Sequence, residues 1–263
     1  MYKFGFLGLG KMGSAILNGI LSNGIYKTNE IAFYAPSLLT QEKYSNIGLN
    51  LVKDERELFE KCEIILLAIK PQIYDGVLNK IKDLNYNCKT IISLAPGKSI
   101  KYLASFFEGA RIVRAMPNTP ALINKAVTTL AFSDNSKTSD IEKIFASIGI
   151  YLVVEEEKID EAVPLNGSMT AYILEFAKAF IDKGMEYGFS YADGFNLVMN
   201  SIIGSCQLAI NSNNDLGTLI NNVCSKGGST IAGLNELKCN GFDDAISKCY
   251  DACVKRSKEL GNV

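Results

Sequence analysis

Two glycine turns are the segments of this chain best equipped to hold an anion. The first, Gly8-Leu9-Gly10-Lys11-Met12-Gly13, follows an apolar run from Tyr2 to Leu7 and precedes a helical pattern from Met12 to Leu21. In a strand–loop–helix setting, glycines at this spacing suit a dinucleotide pyrophosphate. One permits the tight turn, one lets backbone approach the phosphates, and one lets the helix pack on its strand. Unpaired N–H groups at the helix N-terminus then face the phosphates. Leu7, Gly8, Leu9, Gly10, Lys11 and Met12 are therefore candidate cofactor-binding residues. The second turn, Ser225-Lys226-Gly227-Gly228-Ser229-Thr230, opens another helical segment, Ser229 to Leu237. The N–H groups of Gly228, Ser229 and Thr230 are expected to point outward there and to suit a carboxylate. The alternative is a simple cap, with Ser229 or Thr230 satisfying its own helix.

Other candidates lie just past apolar strands, where ligands of open α/β sheets bind. Ala35-Pro36-Ser37 follows the second strand, Ala68-Ile69-Lys70-Pro71 the fourth, and Ala95 the fifth. No carboxylate follows the second strand to hold a ribose 2′-hydroxyl or repel a 2′-phosphate, and Glu30 lies at that strand's other end. Ser37 can donate a hydrogen bond, so NADPH is favoured, with NADH left open. Lys70 reads equally well as a solvated loop lysine. Asn118, in Met116-Pro117-Asn118-Thr119-Pro120, carries both a donor and an acceptor that suit a ribose or carboxamide, or else it caps a turn. The chain has no histidine, which removes histidine-based triads and most zinc chemistry; no metal site is expected.

The elements that must position these residues alternate. Strand-like runs occupy 3–8, 30–35, 47–52, 64–69, 90–94, 111–115, 127–132 and 151–154, with helical patterns between them that include 55–61 and 141–147. Such alternation predicts a Rossmann-type, parallel, doubly wound sheet. Beyond about residue 157 no strand pattern remains. Met169, Tyr172, Ile173, Phe176, Ala177, Phe180 and Ile181 recur at three- and four-residue steps, and Ala245, Ile246, Cys249, Ala252 and Cys253 mark a last helix. The expected plan is thus a dinucleotide-binding domain over 1–156 and an all-helical domain over 157–263. The helices are apolar over a wide arc, more than so small a domain can bury alone, which implies a homodimer interface.

Composition narrows the class. With 27 basic and 28 acidic side chains, the net charge of −1 gives no footprint for nucleic acid or anionic lipid. Apolar runs are too short to cross a bilayer, no secretory leader is apparent, and the seven cysteines form no C-x-x-C pair, so a cytoplasmic protein with reduced thiols is expected.

These segments together resemble the pyrroline-5-carboxylate reductase family. The resemblance rests on Gly8 to Gly13, on Ala68-Ile69-Lys70-Pro71-Gln72, on Arg114 to Ala121, and on Ser225 to Gly233, where the family writes S-P-G-G-T-T-I-A-G. It implies a Rossmann domain followed by a helical domain that intertwines in a dimer and can build larger rings. It also implies NAD(P)H-dependent reduction of 1-pyrroline-5-carboxylate to L-proline. On this reading Ser225, Gly228, Ser229 and Thr230 bind the substrate, and the Thr230 hydroxyl, or a water it holds, serves the ring nitrogen as the catalytic group. The sequence departs from the family at Met169 and Thr170, which replace a glycine and a proline, at Lys226, which replaces a proline, and at Glu55, where an asparagine is common. A paralogue reducing another cyclic imine, or a non-catalytic NADP-binding regulator, stays open. A β-hydroxy-acid enzyme would need a catalytic lysine on the long helix; Lys178 and Lys183 lie there without the expected G-x-x-x-K setting.

Overall fold

A computed structural model describes residues 1–134 and 139–261 and resolves two compact units, Met1–Thr170 with the chain's end from Cys253, and Ala171–Ala252. The first unit holds one sheet of eight strands: β1 (Tyr2–Leu7), β2 (Ile31–Tyr34), β3 (Asn50–Leu51), β4 (Cys62–Leu67), β5 (Thr90–Ser93), β6 (Arg111–Met116), β7 (Ala126–Phe132) and β8 (Gly149–Val153). Their order is β3-β2-β1-β4-β5-β6-β7-β8. The chain winds outward from β1 through β2 to β3, then returns to place β4 on the other side of β1. The reversal leaves a crevice at the carboxyl ends of β1 and β4, the ligand-binding place of such sheets.

Strand periodicity assigns the two faces. Phe4, Phe6, Ile64 and Leu66 pack on one side against Ile16, Leu17 and Ile20 of α1 (Lys11–Ser22) and against Ile144 and Phe145 of α6 (Ser139–Ala146). Leu7, Ile65 and Leu67 pack on the other against Leu58 and Phe59 of α3 (Glu55–Lys61), Tyr74 of α4 (Tyr74–Leu78) and Leu103 of α5 (Ile100–Ala104). Burial of both faces explains why the central strands read as unbroken apolar runs.

Two expectations need correction. The sheet is not wholly parallel, because β7 pairs antiparallel with β6, with Val113 opposite Phe132 and Met116 opposite Thr129. Residues 117–125 supply only a 3-10 turn, Thr119–Ile123, which is too short for the crossover a parallel return requires. β8 then runs parallel to β7 by way of α6. The third strand is also shorter than expected. Ile47 closes α2 (Leu38–Asn46), and only Asn50 and Leu51 pair with β2.

After β8 the described residues are helical: α7 (Glu156–Ala162), α8 (Met169–Glu186), α9 (Tyr191–Ile210), α10 (Leu216–Val223), α11 (Ser229–Cys239) and α12 (Phe242–Gly261). In the first unit, the Arg114 guanidinium of β6 meets Glu156 and Asp160 of α7, each at 3.2 Å, and Ser257 of α12 donates to Asp160 at 2.8 Å. In the second unit α8 and α9 approach closely at Gly194, where a Cβ would sit 3.4 Å from Ile181. This unit has little interior of its own: α10 and α11 bury no residue, while Phe176, Phe180, Leu197, Ile203, Leu208 and Leu216 are all exposed. No helix among the described residues is long and apolar enough to cross a membrane.

Candidate active site

The first glycine turn lies at the crevice, and each glycine has its own reason for being there. Gly8 adopts φ +90° and donates to Tyr34 O at 2.9 Å; a Cβ on it would lie 2.8 Å from Ala68 O. A Cβ on Gly13 would lie 2.8 Å from Gly8 O, so only glycine lets α1 sit against the turn. Gly10 is different. Its φ of −71° suits any residue and nothing lies within 4 Å of where its Cβ would be. That space is open to a ligand. No side chain caps α1 at Gly10 and no acid stands in its first turn, so the first N–H groups of the helix are available to an anion. These residues fit a dinucleotide pyrophosphate. Leu7 and Leu9 turn their side chains into the two cores and can offer only backbone, whereas Lys11 is exposed and Met12 half-buried.

The neighbouring loops gather around the same edge. Ala35 is buried, its carbonyl accepting from Gln41 Nε2 at 2.8 Å, and Pro36 and Ser37 are exposed. Ser37 starts α2, yet its hydroxyl makes no capping bond and no acid occupies the first turn. Glu30 accepts from Lys27 N at 2.8 Å at the opposite end of the strand. Nothing at the end of β2 opposes a 2′-phosphate. Past β4, Ala68 donates to Leu7 O at 2.9 Å, Ile69 and Pro71 are half-buried, and Lys70 is exposed. Past β5, Ala95 is buried and its N–H donates to Ser93 Oγ at 3.2 Å. Tyr74, which sequence reasoning did not single out, is fully buried with its hydroxyl between the ends of these two strands, 3.3 Å from Leu67 O and 3.0 Å from Ser93 Oγ. Burial pushes its acidity well below that of a free tyrosine, so the hydroxyl keeps its proton.

Asn118 has partners within the protein: its Oδ1 accepts from Val127 N at 2.9 Å and its Nδ2 donates to Asn166 O at 3.2 Å, so the amide is held in place by one bond on each side. It caps no helix with its side chain. Asn166 reciprocates, donating to Met116 O at 2.8 Å and accepting from Gly167 N at 2.6 Å, which pins the β6–β7 turn to the residues preceding α8. Glu55, where the family often has asparagine, pairs with Lys80 at 3.2 Å.

In the second unit the Ser225–Thr230 turn starts α11 with Gly228 as its N-cap, and no side chain caps it. The expectation that Ser229 or Thr230 satisfies its own helix end therefore does not hold. Gly228 also needs correction. Its N–H donates to Ser225 O at 3.0 Å, closing the turn, so it does not face outward. The N–H groups of Ser229 and Thr230, the first two helical positions, are those that no side chain caps. A Cβ at Gly228 would lie 2.4 Å from Ser225 Oγ, so a larger residue there would have to turn the Ser225 side chain aside. Ser225, Ser229 and Thr230 are exposed. Thr230 also lines two apolar hollows, one with Phe180, Leu234 and Phe242, the other with Leu208, Leu219 and Val223. Lys178 and Lys183 are exposed on α8 and paired with Asp182 and Glu186, so neither is poised as a catalytic base.

A doubly wound sheet with an open, uncapped glycine turn at its crevice, followed by a helical unit with a second uncapped glycine turn, is the plan of a dinucleotide-dependent oxidoreductase. Comparison with known proteins narrows the class. Residues 3–97 match the family described as NADP oxidoreductase coenzyme F420-dependent, and residues 156–260 match pyrroline-5-carboxylate reductase dimerisation. The chain is 31% identical to pyrroline-5-carboxylate reductase of Escherichia coli, covering 98% of each chain. It is 34% identical to the crystal structure of Plasmodium falciparum pyrroline carboxylate reductase with NADP bound, covering 99% of this chain and 98% of that one at a TM-score of 0.88. The chain belongs to the pyrroline-5-carboxylate reductase family. An imine reductase from Aspergillus terreus, 17% identical with a TM-score of 0.61, shares the fold.

Proposed function

We propose that the protein reduces 1-pyrroline-5-carboxylate to L-proline with NADPH, the last step in making that amino acid. The carrying observation is the occurrence in one chain of an open pyrophosphate turn at Gly10 and an uncapped helix start at Ser229–Thr230. When bound, the cofactor supplies a hydride to the C=N carbon. Lys11, Met12 and Gly13 offer the N–H groups of α1 to the pyrophosphate, and Ala35, Pro36 and Ser37 border the 2′-phosphate. Ala68 to Pro71 and Ala95 border the remaining half; Asn118 shapes that edge through its clasp with Asn166. In the second unit Ser229 and Thr230 N–H groups take the substrate carboxylate, with Ser225 and Gly228 holding the turn. The Thr230 hydroxyl, or a water it holds, supports the proton on the ring nitrogen. One hydride and one proton convert the imine to the secondary amine.

We further read the exposed apolar faces of the second unit as the contact of a homodimer that can extend to a ring of dimers, in the cytoplasm. Turnover should distinguish the substrate from its relatives. The account expects 1-pyrroline-5-carboxylate to be reduced with kcat/KM about 100-fold above 1-pyrroline, which lacks the carboxylate, a ratio on the order of one lost charge-assisted contact. Equal rates would remove the Ser229–Thr230 turn from recognition. Preference for a different cyclic imine would point to Met169 and Thr170 as having changed the substrate.

A further inference from the structure

The hydroxyl of Tyr74 occupies a place that neither the pyrophosphate turn nor the substrate turn explains. Its ring belongs to the core on one face of the sheet, where an apolar side chain would serve as well. The oxygen instead stands between the last residues of two adjacent strands, Leu67 of β4 and Ser93 of β5, which pair directly in the sheet register. Three hydrogen bonds form a chain with one direction. Ala95 N–H donates to Ser93 Oγ at 3.2 Å, and Tyr74 donates its single proton to Leu67 O at 3.3 Å. The 3.0 Å contact between the hydroxyls must then use the proton of Ser93. Beyond Leu67 and Ser93 the chain enters the two loops that border the cofactor, Ala68–Pro71 and Ala95–Lys98. A second tie joins the same pair of segments, because Tyr102 of α5 donates to Asp75 of α4.

We propose that the Tyr74 hydroxyl is a positioning residue for NADP(H), fixing the spacing of the loops after β4 and β5. This rests on the cofactor site argued above. The sheet order divides the dinucleotide in two: the 2′-phosphate half belongs over β2, so the nicotinamide half belongs over β4 and β5. The latch lies wholly on the β4–β5 side and should be felt by the nicotinamide half alone. A residue that only packs the core would affect stability without discriminating between the halves.

The test is calorimetric titration of the full-length protein and its Tyr74→Phe and Ser93→Ala variants with NADPH and with 2′,5′-ADP, which lacks the nicotinamide. Tyr74→Phe keeps the ring and removes only the oxygen. The expected result is NADPH binding weakened about three- to tenfold in each single variant, as for loss of one hydrogen bond. The double variant should be little worse than either, and 2′,5′-ADP affinity should be unchanged throughout. KM for the imine should stay within twofold of wild type. Unchanged NADPH affinity, or equal weakening for both ligands, would overturn the proposal; if Tyr74→Phe does not fold, Ser93→Ala decides. Wild-type protein that binds neither ligand would instead overturn the cofactor reading beneath it.

Discussion

At the scale of single residues, three positions in the two glycine turns separate folding from binding. A methyl group at Gly10 meets no atom of the protein, whereas one at Gly13 would lie 2.8 Å from a backbone oxygen that cannot move aside. Gly10→Ala should therefore leave the thermal midpoint within about 2 °C while weakening NADPH at least tenfold, roughly 1.4 kcal/mol. Gly13→Ala should cost about 1–3 kcal/mol of stability in urea melts, as overpacking does. Equal effects from the two would contradict the assignment of Gly10 to the phosphates. Thr230 is exposed at the second position of α11 and contributes no cap. Thr230→Ala should lower kcat by about 100-fold or more, as for loss of a positioned proton-handling group, with the cofactor KM hardly changed. Steady-state kinetics with an unchanged kcat would exclude its hydroxyl from the reaction.

At the scale of elements, the sequence revealed what is encoded locally and missed what is encoded by distant partners. The motif at Gly8–Gly13 is legible because each glycine answers to sterics within one turn and its flanking strand. The helix at Glu55–Lys61 has the bounds its pattern predicts, with Asp54 capping it through Glu57 N. The direction of β7 was not legible, since apolar alternation says where a strand is but not which way it runs. The clasp that Asn118 makes was not legible because its partners, Val127 and Asn166, lie 9 and 48 residues away. Tyr74 was not singled out, because the partners of its hydroxyl, Leu67 and Ser93, lie 7 and 19 residues away. Arg114 shows the energetic weight of such a distant tie. Its side chain is 4% exposed and joins β6 to two acids of α7, so Arg114→Met, which leaves those acids without their cation, should cost about 3 kcal/mol. Arg56→Met on the surface, where the Asp83 pair is open to solvent, should leave the midpoint almost unmoved. Denaturant midpoints for the two variants compare them directly.

At the scale of the whole molecule, the absence of histidine shapes the response to pH. Among the described residues, Glu57 is held below its ordinary range by Lys53 N and Lys61, Asp83 by Arg56, Glu161 by Lys158 and Lys258, and Asp215 by Thr218 N and its hydroxyl. Because their folded values are depressed, their contribution is complete above the unfolded range of about 4 and is lost as pH falls below it. Burial acts in the opposite direction on Cys62 and Tyr26, both raised to about 12. Their contribution is complete below the unfolded values, about 8.5 and 10, and disappears as pH rises toward 12. With no imidazole between these limits, stability should be flat from about pH 5 to 8 and fall on both sides; a midpoint that changes steeply near pH 6.5 would contradict this.

The most direct measurement of the central claim is the balance of the reaction itself: purified protein, NADPH and 1-pyrroline-5-carboxylate, with cofactor oxidised and L-proline formed both quantified. The account predicts one proline for each NADPH consumed. NADPH that binds without being consumed, or is consumed without proline appearing, would contradict it.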